Sequence, residues 1–402
     1  MEHRAEAVGR APFNLMDAGD DFRTSPYATY RMLRDEYPLL QNPDGSYVLT
    51  RWQDVDAVLR SHDTTVDKSE AYRKVMGDGA ILEFQLGAMT TWDPPGHTKL
   101  RGSLAMAFTP RAMAQWEPLV RDTVDELLVK PRQNGSMDLV SEFSAALPLT
   151  LICKMLGVPT ENSSRFRGWA RSITSSLDPG AKPDIITLAN QHSEEWKEFF
   201  RGLMAARRKN PGNDLISMLL TTDQGEEAFS EVTLIHNIAL LMSAGHETTT
   251  SLIANAIDAL IENPDQAERL RKNPELITTA VEEFLRYDSP VQMGSRRSIA
   301  PITVSGGTIP ANSYIWTVQG AANRDEREFR DSDRLDVGRT PNRHIAFATG
   351  VHVCLGAPLA RMEARFALER LVNEFPNLRR ASAPERFLRT RFRAFTKYPV
   401  LL

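Results

Sequence analysis

Between residue 53 and about residue 281, apolar side chains recur at the three-and-four spacing of amphipathic helices, broken by loops such as Leu177-Asp178-Pro179-Gly180-Ala181-Lys182-Pro183. Residues 26–37 predict a further helix, and residues 39–50 a hairpin turning on Pro43-Asp44-Gly45. Alternating, strand-like text returns at residues 302–309, at residues 314–318 and at Tyr398-Pro399-Val400-Leu401. The fold class is therefore mainly α with a minor β part.

One helix dominates this pattern. Ser230 is placed to cap it, and helical residues run on to Glu262, where Asn263-Pro264 stops them. At about 1.5 Å of rise per residue it spans roughly 50 Å, enough to cross the whole protein. Its middle, residues 238–245, is apolar on every side, which predicts burial all round. The residues that follow in Ala244-Gly245-His246-Glu247-Thr248-Thr249 therefore need a chemical reason. Glu247 and Thr248 make an acid–alcohol pair suited to proton delivery, and small Ala244 and Gly245 leave room over a ligand face. The plainer alternative is a solvent-facing glutamate with threonines bonded back to the preceding turn. A zinc-protease motif is excluded, because position 250 is Thr250 and not histidine.

Composition narrows the picture further. With 402 residues, 42% hydrophobic and 25% charged, the chain has an ordinary globular make-up and enough length for an extensive core. No linker, repeat or low-complexity tract divides it, so residues 1–402 read as one domain, with residues 1–25 loosely ordered. A net charge of −4 gives no electrostatic footprint for nucleic acid. The N-terminus lacks an apolar run of the signal or anchor type, and the apolar stretch 238–242 is too short to span a bilayer; a cytoplasmic protein without membrane attachment is expected. Two cysteines are too few for a disulfide framework or a cysteine-ligated iron–sulfur cluster. Cys153 lies in an apolar run and reads as core packing.

Cys354 is different. It stands between Gly350 and Gly356, whose missing side chains allow tight turns and close approach to a flat ligand, and a helix begins just beyond it. A sulfur at the positive end of a helix is expected to ionise easily. His352 is placed to hydrogen-bond a nearby carboxylate. Elsewhere, His97 and Arg101 sit four apart on one helical face in Asp93-Pro94-Pro95-Gly96-His97-Thr98-Lys99-Leu100-Arg101, two donors that suit a carboxylate.

The string from Phe347 to Gly356 resembles the F-x-x-G-x-H-x-C-x-G haem-binding loop of the cytochrome P-450 family, and residues 244–249 resemble its A-G-x-E-T-T oxygen-activation motif. Two departures stand out: Ala348 and Asn312 occupy positions where the family usually has glycine. The resemblance implies a triangular prism of helices around a buried haem b, with Cys354 as the metal ligand and Phe347 shielding its sulfur. Gly350, Gly356, Ala244 and Gly245 would lie against the ring. His97, Arg101, His352 and Arg296 would hold its two carboxylates, with Arg297 the competitor of Arg296 and His344 a weaker candidate. Glu283, Arg286 and Arg339 would form a structural triad behind the cysteine loop.

The resemblance further implies a monooxygenase that activates dioxygen through Glu247 and Thr248 and hydroxylates, epoxidises or O-dealkylates a small to medium organic substrate. By position, Leu240, Ser243, Gln292, Met293, Phe84, Met89 and Phe395 would line the substrate pocket; the polarity of Ser243 and Gln292 points to a substrate with some oxygen functionality. No flavin or nucleotide fingerprint is present, so electrons would come from a separate ferredoxin or flavodoxin with an NAD(P)H-dependent reductase, docking near Lys99, Arg343 and Arg365. A monomer is expected. The alternatives are a peroxide-driven peroxygenase and a non-catalytic haem-binding or recruitment module.

Overall fold

The helix Glu231–Glu262 organises the molecule, a computed structural model that describes residues 13–222 and 229–402. Ser230 caps it, its hydroxyl accepting from the Thr233 N–H at 3.1 Å, and Pro264 opens the next helix directly beyond the stop. The helix is continuous through Gly245, so the small residues there do not break it. Its two halves serve two apolar clusters. Ile235, Ile238 and Met242 pack with Trp169, Trp196 and Phe200, while Leu252, Ile253 and Ile257 pack with Phe143, Phe284 and Leu368. Helices Ser163–Ser175 and Pro183–Lys209 cover the first half, and helices Ile277–Tyr287 and Ala357–Glu374 cover the second. Each fully buried large apolar side chain contributes about 1.5–3 kcal/mol, so this packing, not helix propensity, fixes the arrangement.

A five-stranded sheet flanks the helices in the order Leu39–Gln41, Tyr47–Leu49, Tyr314–Thr317, Gly294–Ser298, Thr64–Thr65. The predicted hairpin supplies its first two strands, with Leu40 opposite Val48 and Gly45 at φ +87° in the turn. The strand Gly294–Ser298 has no apolar alternation. It is a strand because it pairs on both sides, Arg296 with Ile315 and Arg297 with Thr65. Smaller pairs follow: Ile302–Val304 with Gly307–Ile309, Glu385–Phe387 with Ala394–Lys397, and Pro399–Leu401 between Ser136–Asp138 and Arg379–Arg380.

The N-terminal expectation needs correction. Residues 1–12 lie outside the described part, but Leu15 and Phe22 are buried against the sheet and short helices form at Leu15–Asp17 and Asp20–Thr24. A longer apolar segment than residues 238–242 is also present. Leu139–Leu156 is long and apolar enough to cross a bilayer, yet it is 72% buried and packs against the central helix as core.

Candidate active site

The cysteine loop is built by an awkward backbone. The Cys354 N–H donates to the Phe347 carbonyl at 2.9 Å, closing the loop. Gly350 holds φ +74°, and a Cβ there would stand 2.8 Å from the Leu59 carbonyl oxygen, so only glycine fits. Ala348 adopts φ +56° and Asn312 φ +62°, so both departures from glycine occupy left-handed positions. Gly356 does not follow the expectation, since its φ is −81° and no protein atom lies within 4 Å of a Cβ built on it. The protein itself would tolerate a side chain there, and the open space is a cradle beside the sulfur.

Cys354 is exposed although protein surrounds it, so its thiol opens on an interior cleft. Burial pushes the thiol up, and the Gly356 N–H, Arg101 and the Ala357 N–H, pulling the other way, do not overcome it. The expected easy ionisation therefore fails for the protein alone; a bound metal ion is what would deprotonate this thiol. Cys153 is a fully buried core residue, pushed up to about 12 by burial.

Basic groups gather beside the loop, and the Asp93 carboxylate that acts on His97 and Arg296 is itself held by Thr65 and by the Val66 N–H at 3.2 Å. The His97 and His352 rings lie 4.1 Å apart, and the Nε2 atom of each is buried with no partner. Burial, helped by His97, Arg296, Lys68 and Arg101, pushes His352 down to about 3. Arg101 donates to the Val353 carbonyl at 2.7 Å and so ties its helix to the cysteine loop. Arg296 is buried, donates to the Ser295 carbonyl at 2.9 Å, and is pushed down to about 10 by burial, with Asp93 pulling the other way. Arg297 turns outward and donates to the Asp67 carbonyl and Asn312. Among the described residues neither Arg101 nor Arg296 forms an ion pair. His344 faces elsewhere, bonded to Glu282 at 3.0 Å.

The central helix is not buried all round. Ala244 is exposed and Leu240, Gly245 and Thr248 are half-buried, so one side is open. Leu355, next to the cysteine, and Leu359, a turn further on, join the apolar cluster that includes Ala239 and Met242 of the central helix. Thr248 donates to the Ala244 carbonyl at 2.7 Å, the back-bonded geometry of the plainer reading. Glu247 is buried, and its carboxylate accepts from Arg389 at 2.8 Å and from Thr174. It is an ion-paired acid, not a free one. His246 is buried with both ring nitrogens lacking side-chain partners and is pushed down to about 3, chiefly by burial.

Behind the loop, the predicted triad forms. Glu283 accepts from Arg286 at 2.7 and 2.8 Å, from Arg339 at 3.0 and 3.2 Å, and from the Asp336 N–H at 2.9 Å. Sequence reasoning missed Glu282, whose carboxylate takes Arg361 at 2.7 and 2.8 Å as well as His344. Arg361 in turn lies 4.6 Å over the half-buried Phe347 ring. The signal was present as a second carboxylate beside Glu283, but only folding shows which arginine each takes.

The pocket expectations hold poorly. Met293 and Phe395 are buried in separate apolar clusters, and Phe84 stacks on Trp196 in the core. Gln292 is spent on Tyr30 and the Ser289 carbonyl, and Ser243 on the Leu240 carbonyl. Met89 is buried in the same cluster as Phe84. Leu240 alone of the set is half open. Both polar groups of the set are thus already hydrogen-bonded within the chain.

An interior thiol, a cradle beside it, and imidazoles and guanidiniums that form no ion pair among the described residues fit one ligand: a flat metal complex with two carboxylates. These features define a haem-thiolate protein. The family model described as cytochrome P-450 matches residues 21–397. Cytochrome P-450 107B1 of Saccharopolyspora erythraea is 36% identical over 98% of both chains. The crystal structure of P-450 BioI in complex with hexadec-9Z-enoic acid ligated acyl carrier protein matches with a TM-score of 0.90 at 33% identity, over 96% of this chain and 100% of that one. CYP109E1 from Bacillus megaterium in complex with testosterone gives 0.88 at 28%, over 96% and 99%. The chain belongs to the cytochrome P-450 family, has its fold, and binds haem b as a monooxygenase of the haem-thiolate class.

Proposed function

We propose that this protein activates dioxygen and inserts one oxygen atom into a small to medium organic substrate, with Cys354 as the iron ligand and electrons drawn from a separate ferredoxin or flavodoxin. The observation that carries this reading is the placement of the Cys354 thiol on the interior cleft, with the Gly356 and Ala357 N–H groups directed at it. Haem, when bound, supplies the redox chemistry, and thiolate donation favours O–O cleavage.

The rest of the work falls to this chain. His97, His352, Arg101 and Arg296 hold the cofactor's carboxylates, which would satisfy the two orphaned Nε2 atoms. Phe347, pinned under Arg361, keeps water from the sulfur. Glu283 with Arg286 and Arg339 keeps the loop in place. Thr248 presents its oxygen lone pairs to the cleft while its proton rests on the Ala244 carbonyl. Glu247 supplies protons after leaving Arg389. Electron partners would meet basic groups near the cysteine; of the three expected, Arg365 already faces Glu117 at 3.9 Å and Lys99 lies over Phe229.

The test is the carbon monoxide difference spectrum of the reduced protein, followed by turnover with NAD(P)H and added redox partners. Wild type should show the thiolate-type Soret band and Cys354→Ala should lose it. A band that persists in the variant removes Cys354 as the ligand, and turnover with peroxide alone would favour a peroxygenase.

A further inference from the structure

The hairpin Glu385–Phe387 with Ala394–Lys397 brings Arg386, Arg389, Arg391 and Arg393 into the structure, and three of them hold carboxylates. Arg386 meets Asp258 at 3.2 Å, Arg389 meets Glu247 at 2.8 Å, and Arg393 meets Asp288. Arg391 has no carboxylate among the described residues, and its buried Nε makes no hydrogen bond. Its backbone is fixed nevertheless, the N–H on Asp178 at 3.1 Å and the carbonyl on the Gln292 N–H at 2.8 Å.

Beside it lies Lys68, only 6% exposed. Its ammonium donates to Ser295 Oγ at 3.2 Å and stands 5.3 Å from the centre of the Tyr72 ring. Tyr72 is buried too, and Lys68 and Arg391 are the two cations that act on its phenol. The exposed neighbour Asp67 turns its carboxylate to the Ser69 N–H at 3.0 Å. Lys68 and Tyr72 from one segment and Arg391 from the late hairpin thus converge, and neither cation forms an ion pair among the described residues. Burying such charges costs several kcal/mol per ion unless an anion is supplied. Burial pushes Lys68 down, while on Tyr72 the two cations outweigh burial and leave the phenol below the ordinary tyrosine value. The cluster is primed for negative charge.

We propose that Lys68, Tyr72 and Arg391 form a subsite for a carboxylate carried by the substrate, so that the enzyme selects organic acids over their neutral analogues. The proposal rests on the monooxygenase reading and names its substrate class. Arg391 offers a bidentate fork, and Lys68 and the Tyr72 hydroxyl complete the donor set. Tyr72 also belongs to the apolar cluster of Ile81 and Ile238, which gives a hydrocarbon tail an apolar wall reaching the central helix. A cofactor carboxylate offers the same chemistry as a substrate carboxylate. The cofactor's carboxylates already have His97, Arg101, Arg296 and His352; Lys68 lies within electrostatic reach of Arg296 and His352, so the experiment has to separate the two.

The test titrates the haem-loaded protein with decanoic, dodecanoic and tetradecanoic acids, each against its methyl ester, and reads the type I spectral shift. Wild type should bind an acid at least about tenfold more tightly than its ester, and Lys68→Met and Arg391→Met should each weaken the acid by about tenfold while leaving the ester within about twofold. Tyr72→Phe, which keeps the ring, should act in the same direction with a smaller effect. Equal binding of acid and ester by wild type overturns the proposal, as do variants that leave the acid unaffected. Loss of haem with acid preference intact also overturns it, by assigning the cluster to the cofactor. A wild type without the thiolate-type band would instead fail the monooxygenase reading, whereas a normal band without acid preference fails this subsite alone.

Discussion

Glu283→Gln keeps the shape of a fully buried side chain and removes its charge, which isolates what that carboxylate does behind the cysteine loop. Arg286 and Glu283 are both 0% exposed and Arg339 is 11% exposed, so two guanidiniums would be left facing a neutral amide. Arg286 keeps its bonds to the Asn323, Ser332 and Arg334 carbonyls, which hold it in place but do not neutralise it. Removing one partner of a buried pair costs about 3–5 kcal/mol, a large share of a total stability of roughly 5–15 kcal/mol. Arg339→Gln should cost less, about 1–2 kcal/mol, because Glu283 then keeps Arg286 and the lost charge is the less buried one. Urea denaturation followed by circular dichroism, for each single variant and the double variant, measures both losses and their coupling. The order of the two losses is the diagnostic. If Arg339→Gln costs as much as Glu283→Gln, or if Glu283→Gln costs below about 1 kcal/mol, the carboxylate is not the hub of the triad.

Three further outcomes follow from the site. Glu247→Gln should lower product formation about 100-fold while haem content and the carbon monoxide spectrum stay unchanged, and a loss below about threefold would remove Glu247 from proton delivery. Ala348→Gly relieves φ +56° and should raise stability by up to about 1 kcal/mol in urea denaturation; a loss instead would mean that the alanine is not strained. Hydrogen bonds from Arg361 and His344 outweigh burial and hold Glu282 down at about 2, against an ordinary 4.5. A carboxyl depressed by folding stabilises above its unfolded value and loses that contribution as pH falls through its folded value, so the window is from about pH 4.5 to about pH 2. The gain is at most ~3 kcal/mol and smaller after solvent screening, since Arg361 is 43% exposed; Glu282→Gln should flatten stability across that window, and an unchanged acid profile would contradict the pairing.

The elements that could be read from sequence are those whose signal is local. The central helix carries its own cap and stop, the first hairpin its own turn residues, and the cysteine loop its own glycines. The strand Gly294–Ser298 could not be read that way, because Gly-Ser-Arg-Arg-Ser is polar and becomes a strand only between two partners. The pocket was least legible. Position on an element predicted that Met293, Phe395 and Phe84 would face the substrate, but facing is set by which cluster each side chain joins, and all three joined the core.

The acid–alcohol pair shows the same limit in chemical form. Sequence places Glu247 beside Thr248, but the state of that carboxylate is set by Arg389, 142 residues away, and by Thr174 on another helix. Arg389 also reaches Asp178 at 3.4 Å, in the loop between helices Ser163–Ser175 and Pro183–Lys209. The same hairpin then carries Arg391, the one of its arginines without an acid among the described residues. The paired members are a reason why the unpaired one is informative: three arginines found buried or half-buried carboxylates in the folded chain, so a fourth that has none among the described residues is positioned for an acid carried by a ligand. Local motifs therefore specify which groups react, while the late hairpin, packed across the site from the far end of the sequence, specifies which charges are already satisfied and which are still open.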